Sequence, residues 1–266
     1  MKKRLRKALG IILAMICLLA TGQVIRLVLD GREAKQATSH AQDLAGAIPE
    51  GSDSSTAETD SSGTTEGTLP QDENVSYLQQ LDILALRAVN ADVIGWIYIP
   101  GADINHPLMQ TTDNSTYLYT NWEGNYNADG SIFLETECSS DLKDFNTIIY
   151  GHNMLSGSMF APLHRYRDYN YYREHPYVYI VTDSAIYRYE IFSAYKAGVK
   201  TDTYRLQFTD DGKKQALGHY VTSSLWAGNL IPTPEDFILT LSTCTGTGRY
   251  ENRWVVQAAL DEKWDK

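Results

Sequence analysis

The chain has 266 residues, of which 43% are hydrophobic and 21% are charged, as in an ordinary globular protein. Its formal net charge is −10, although residues 2–7 are almost all basic, so the rest of the chain is more acidic still. An acidic body lacks the basic patch that phosphate backbones require, and we therefore expect no nucleic-acid partner.

An apolar segment follows the basic residues at the N-terminus. Residues 8–29 are mostly apolar, and a helix of about 18 residues spans roughly 27 Å, enough to cross a bilayer core. Positive charge favours the cytoplasmic side. We predict a cytoplasmic basic segment at 1–7, a single-pass membrane anchor at 8–29 and an extracellular remainder. A cleaved signal peptide ending near residues 20–22 is the alternative.

The next segment is poor in apolar residues. Residues 50–74 consist largely of Ser, Thr, Gly and acids, which cannot bury enough surface to offset the entropy of ordering. Every aromatic residue lies at or after Tyr77. We therefore predict a flexible extracellular linker over 30–76 and one folded domain over 77–266.

Within that domain, strand signals dominate. Residues 75–90 show apolar positions at helical spacing and predict an amphipathic helix. Residues 157–166 predict a short helix, and 209–226 a longer one. Period-two patterns bounded by turn residues predict eight strands, at 93–99, 104–109, 130–134, 147–150, 177–181, 186–194, 237–243 and 253–260. Eight short strands favour a closed barrel or a sandwich.

The strongest chemical signal is a cysteine where a strand ends. In 237–244, alternate side chains point to opposite faces, and Cys244 precedes a Gly-rich loop. Arg253 opens the next strand, so antiparallel pairing would bring it beside Cys244. A cationic neighbour favours the thiolate, which is the nucleophilic form. The alternative is a small, buried, unreactive cysteine.

A cysteine nucleophile also needs a proton carrier. His152 follows the apolar strand 147–150 and Gly151, where it can project into a cleft, and imidazole transfers protons near neutral pH. Cys138 lies among acids that disfavour a thiolate, so we interpret it as structural and expect it to lie apart from Cys244. No metal-binding spacing occurs in the sequence, and we expect neither a metal nor a cofactor.

These residues resemble a known family. TLSTC at 240–244, followed by Arg253 in NRWVV, is similar to the cysteine and arginine signature of sortases. NTIIYGHNM at 146–154 resembles the histidine region of the class B branch, as do VIGWIYIPG at 93–101 and NHPLMQ at 105–110. The resemblance implies an eight-stranded sortase barrel with N-terminal helices and a helix inserted before the catalytic strand, for which 209–226 is the candidate.

The resemblance also implies a reaction. Cys244 would cleave a C-terminal sorting signal of a secreted protein after its Thr, and the thioester would pass to an amine of a peptidoglycan precursor or a pilin. His152 would transfer protons and Arg253 would stabilise the oxyanion, while Ser242, Thr243 and Tyr150 would line the substrate groove. The alternatives are a cysteine hydrolase on the same scaffold and a non-catalytic, membrane-anchored surface binding protein.

Overall fold

The computed structural model describes residues 2–47, 72–244 and 251–266. Eight strands close into a barrel in the order β1-β2-β3-β4-β7-β8-β6-β5. This confirms the predicted fold class. The strands are β1 (Val93–Ile99), β2 (Ile104–Met109), β3 (Ile132–Leu134), β4 (Asn146–Tyr150), β5 (Tyr177–Val181), β6 (Ala185–Gly198), β7 (Ile238–Cys244) and β8 (Asn252–Asp265).

Neighbouring strands are antiparallel except at two places, β2–β3 and β4–β7. Parallel strands need a long crossover, and the chain between β4 and β7 supplies it. In this pair Tyr150 lies opposite Ser242, so the ends of two strands that are far apart in sequence meet at the same edge of the barrel.

Alternation along β7 and β8 separates two apolar clusters. Leu239, Leu241 and Val256 belong to the cluster that also contains residues of β1, β2, β4, β5 and β6. Ile238 and Val255 belong instead to the cluster formed with the inserted helix, α5 (Asp210–Ser223). The two faces predicted for these strands are therefore confirmed, and both are buried.

Helices cover the barrel. The inserted helix predicted at 209–226 is present, and it begins where the Thr209 hydroxyl accepts a hydrogen bond from the Gly212 N–H. Short 3-10 helices accompany the α-helices, at Thr116–Leu118, Ala161–Arg167 and Asp202–Tyr204. The α-helices are α1 (Lys2–Ala45), α2 (Glu73–Leu78), α3 (Ile83–Val89), α4 (Tyr169–Glu174) and α5 (Asp210–Ser223).

The helix α1 extends into the segment that we expected to be linker. Ala37, Ala41 and Ala45 are buried in the cluster that also holds α2 and α3, because small side chains four residues apart let the helix approach closely. Trp122 Nε1 donates to the Ala37 carbonyl at 2.7 Å. The expected start of the linker at residue 30 is thus replaced by helix up to Ala45, and 48–71 lie outside the described residues. Among the residues described, no helix combines the length and apolar character that crossing a bilayer requires.

Two local predictions differ from the structure. The single helix expected at 75–90 is divided into α2 and α3, because the Asp82 carboxylate accepts a hydrogen bond from the Ala85 N–H and starts a new helix there. The short helix expected at 157–166 begins only at Ala161, with Pro162 in its first turn, and is a 3-10 helix.

Candidate active site

A cleft of about 200 Å³ opens where β4 and β7 end. It is lined by every predicted site residue whose side chain the structure describes, so residues that are far apart in the sequence meet there. Four further lining residues, Asn114, Leu118, Phe133 and Gly151, were not predicted as site residues. The cleft is lined by Asn114, Leu118, Phe133, Tyr150, Gly151, His152, Ser242, Thr243 and Arg253.

Cys244 is the last residue of β7, and its backbone pairs with Arg253 on β8. The antiparallel neighbourhood predicted for these two residues is therefore confirmed at the level of strand register. The side chain of Cys244 and the whole of 245–250 lie outside the described residues. Arg253 itself lines the cleft beside His152, and it is half-buried.

The His152 ring is held by a backbone carbonyl. Its Nε2 lies 2.7 Å from the Leu118 oxygen. Because a carbonyl oxygen only accepts hydrogen bonds, Nε2 carries a proton in this arrangement. Nδ1 is then the ring nitrogen available for proton exchange, and the tautomer is set by the neighbouring bond.

Gly151 is needed for close packing at the start of the His152 loop. A Cβ at this position would lie 2.7 Å from Cγ of Phe160, which is fully buried. The Gly151 N–H donates to the Ser242 carbonyl at 3.2 Å, joining the loop to β7. The sequence suggested that this glycine frees the histidine, whereas the structure shows that it makes room for an aromatic ring.

A buried carboxylate organises one wall of the cleft. Glu135 accepts a hydrogen bond from the Tyr150 hydroxyl at 2.8 Å and another from the Asn114 amide. Burial, followed by the Glu135 charge, raises the pKa of Tyr150 well above its ordinary value, so its hydroxyl stays protonated. Asn114 and Glu135 lie in polar segments without periodicity, which explains why sequence reasoning missed them.

The two hydroxyl residues before Cys244 have different environments. Ser242 Oγ shares a hydrogen bond of 2.9 Å with the Tyr204 hydroxyl. Thr243 Oγ1 is buried and has no hydrogen-bond partner among the described residues, although the residue lines the cleft. A buried hydroxyl without a partner is costly, so a group that enters the cleft could satisfy it.

Cys138 is a second thiol with a different environment. It is free and buried, and its Sγ lies 3.7 Å from the Asn146 carbonyl oxygen. Burial raises the pKa of its thiol to about 12, and the nearby acids contribute in the same direction. A thiol of this kind stays protonated, which agrees with its interpretation as structural.

Comparison with known proteins agrees with the geometry of this site. The sequence profile described as the sortase domain matches residues 97–261, which is more than half of the chain. The chain belongs to the sortase family. This sortase is 34% identical over 195 residues to sortase B of Listeria monocytogenes serovar 1/2a, covering 71% of the chain and 78% of that relative.

Solved structures extend the similarity to the fold. The Staphylococcus aureus sortase B–substrate complex has a TM-score of 0.64 and 30% identity, covering 69% of this chain and 85% of that one. A sortase B complexed with triglycine gives a TM-score of 0.64 and 30% identity, with 67% and 85% covered. This chain is therefore a class B sortase and a cysteine transpeptidase, in a family associated with the cell wall.

Proposed function

We propose that Cys244, His152 and Arg253 carry out the transpeptidation in the cleft at the ends of β4 and β7. The observation that carries this proposal is the convergence of His152 and Arg253 in one cleft, with the backbone of Cys244 paired to Arg253. The Cys244 thiolate attacks the Thr carbonyl of a sorting signal and forms a tetrahedral oxyanion, which the Arg253 guanidinium stabilises.

Proton transfer by His152 completes both halves of the reaction. The amide C–N bond breaks as His152 protonates the departing amine, and a thioester to Cys244 remains. An incoming amine then loses a proton to His152 and attacks the thioester, so the C–S bond breaks and the thiolate returns. No cofactor is needed, because every proton moves between substrate and imidazole.

We infer that the substrate is an extended peptide and that the acceptor is a primary amine. The substrate complex and the triglycine complex of the similar sortases support these two classes. Ser242, Thr243 and Tyr150 line the cleft, and we expect them to contact the peptide, with the Thr243 hydroxyl, which has no partner among the described residues, bonding its backbone. For this chain the amine belongs to a peptidoglycan precursor or a pilin, and the signal to a secreted protein.

We also propose the topology that the sequence predicts. Residues 8–29 anchor the chain in the membrane, and the catalytic domain lies outside, joined by the remaining linker. The helical state of 8–29 within α1 and the basic residues at 2–7 support this arrangement. A tethered enzyme meets a membrane-retained substrate at a raised effective concentration.

Ligation by the full-length chain tests the proposal. Peptides of the NPxTx and LPxTG kinds are incubated with and without triglycine, and the products are identified by mass spectrometry. We expect cleavage after Thr with transfer to triglycine, and loss of both in Cys244→Ala. Cys138→Ala removes the other thiol of the catalytic domain and should retain ligation. Cleavage to the free acid at every triglycine concentration would indicate a hydrolase instead.

A further inference from the structure

Two hydrogen bonds join the loop that carries His152 to a distant segment of the chain. The loop comprises residues 151–160, and the segment comprises residues 117–131. His152 Nε2 donates to the Leu118 carbonyl at 2.7 Å, and Ser158 Oγ donates to Asp129 Oδ2 at 2.9 Å. The loop is therefore held to the same segment near both of its ends.

Hydrogen bonds within the loop join its two ends. The Phe160 N–H donates to the His152 carbonyl at 2.8 Å, and the Gly157 N–H donates to the Met154 carbonyl at 3.0 Å. Asn153 and Met159 also form an isolated antiparallel bridge. These bonds connect the part of the loop that holds Ser158 to the part that holds His152.

The segment 117–131 is itself well defined. The Ser131 N–H donates to the Tyr117 carbonyl at 2.9 Å. Gly130 lies so close to the Leu118 carbonyl that a Cβ would be 2.7 Å from its oxygen. The Asp129 N–H donates to the Asn127 side chain at 2.8 Å. The two acceptors of the loop, the Leu118 carbonyl and the Asp129 carboxylate, therefore have fixed relative positions.

Asp129 is only 3% exposed, and burying a carboxylate is unfavourable unless it is hydrogen-bonded. Burial raises the pKa of Asp129, whereas the Ser158 hydroxyl and the charge of His152 act in the opposite direction. The carboxylate thus lies within electrostatic range of the imidazole as well as in contact with the loop.

We propose that Asp129 is a positioning residue that acts through Ser158 to hold His152 in its productive orientation. The Asp129–Ser158 hydrogen bond is called the latch below. This inference rests on the proton-transfer role proposed for His152. The latch sets the ring's distance from the reacting atoms, and it makes no contact with substrate. An error of about 1 Å in such a distance can cost up to about 100-fold in rate.

Four substitutions in the full-length chain separate the bond from the charge. Ser158→Ala and Asp129→Ala remove the latch, whereas Ser158→Thr keeps the hydroxyl, and Asp129→Asn keeps an acceptor without the charge. We expect the two Ala variants to lower kcat for ligation about 10- to 100-fold, with KM for the peptide changed less than about threefold. We expect Ser158→Thr and Asp129→Asn to retain most of the activity.

Ser156→Ala is the matched control. The Ser156 hydroxyl lies 2.8 Å from Ser158 Oγ in the same loop, so this substitution removes a neighbouring hydroxyl and leaves both partners of the Asp129–Ser158 bond in place. We expect it to keep kcat within about twofold of the unmodified chain. Thermal unfolding of each variant checks that the fold is retained.

Three results would overturn the latch. Unchanged kcat in both Ala variants would show that the bond does not position His152. A loss in Asp129→Asn equal to that in Asp129→Ala would show that charge, and not the bond, is what matters. If the two Ala variants instead raised KM for the peptide by as large a factor and left kcat unchanged, the two residues would act in substrate binding. Full ligation by His152→Ala would instead refute the proposed function, so the two failures are distinguishable.

Discussion

The two sides of the cleft position their residues by different means. On one side, Cys244 and Arg253 lie opposite each other at the end of a continuous ladder between β7 and β8. On the other, His152 lies in a loop that depends on a few hydrogen bonds and close contacts with residues 117–131. Backbone hydrogen bonds between β7 and β8 fix the two strand ends, whereas the loop depends on particular side chains.

This difference predicts how substitutions act. A substitution at the paired ends of β7 and β8 should alter the chemistry, while the hydrogen bonds between the two strands maintain the fold. A change to a close packing contact of the loop, such as that of Gly151 with Phe160, should affect folding and activity together, because that contact also positions His152. Each prediction below tests one part of that contrast.

The largest effect is expected at Arg253. Removal of its guanidinium in Arg253→Ala should lower kcat about 100- to 1,000-fold, because the developing oxyanion loses its charged partner. Arg253→Lys should recover only part of this loss, since an ammonium lacks the planar fork of donors. Steady-state ligation kinetics measure both effects.

A surface arginine provides the control for Arg253. Arg173 is exposed near the end of α4, and Arg173→Ala should keep kcat within about twofold. If Arg253→Ala unfolded the chain, the fold at the end of the β7–β8 pair would depend on the Arg253 side chain and not only on backbone hydrogen bonds. Urea unfolding of the three variants distinguishes that outcome from a loss of chemistry alone.

The second-largest effect is expected on the pH dependence of stability, and it comes from a buried histidine beside the loop that carries His152. His106 on β2 lines a small cavity together with Gly130 and Met159, and burial lowers its pKa to about 4. Between about pH 6.5 and 4 the unfolded chain binds a proton that the folded chain does not, so stability falls as the pH falls. The full loss is about 3 kcal/mol below pH 4.

Urea unfolding at several pH values tests this contribution. His106→Gln should lose less stability between pH 7 and pH 4 than the unmodified chain, by about 3 kcal/mol. His219→Gln is the matched control, because it makes the same substitution at an exposed position on α5. Parallel pH curves for His106→Gln and the unmodified chain would show that His106 is protonated without cost.

The third effect tests the close packing at Gly151. Gly151→Ala places a methyl group against the Phe160 ring and should cost about 1–3 kcal/mol of stability, together with a loss of kcat. A smaller side chain in Phe160→Leu relieves the contact. The double variant should therefore lose less stability than the sum of the two single variants, and additive losses would contradict the packing argument.

The sequence predicted the strand-held side of the site better than the loop-held side. Alternation in 237–244 and 253–260 indicated the faces of β7 and β8, and their pairing followed from their proximity in sequence. The motif also indicated His152, but nothing in the pattern linked it to Leu118 or Asp129. Those contacts join segments that have no shared period, so they become visible only in three dimensions.

The secondary structure and its packing show the same limit on what the sequence can predict. The strands at 93–99, 104–109 and 177–181 were predicted to the residue, because turn residues and apolar runs mark their ends. The alanines of α1 gave no comparable signal. Ala37 and Ala41 look ordinary in a polar segment, and their burial depends on a barrel surface that lies far along the chain. A local sequence pattern predicts a helix or a strand, whereas the packing of that helix or strand depends on the surface it contacts elsewhere in the chain.

The smallest effect is expected at the tip of the loop. Leu155 is 98% exposed, so Leu155→Ser removes almost no packing and should change the free energy of unfolding by less than about 0.5 kcal/mol. Leu163, which follows the loop and is fully buried, is the comparison: Leu163→Ala should cost about 2–5 kcal/mol. Urea unfolding measures both. A loss above about 1 kcal/mol in Leu155→Ser would mean that the tip packs against something, and that the loop is held by more than its two ends.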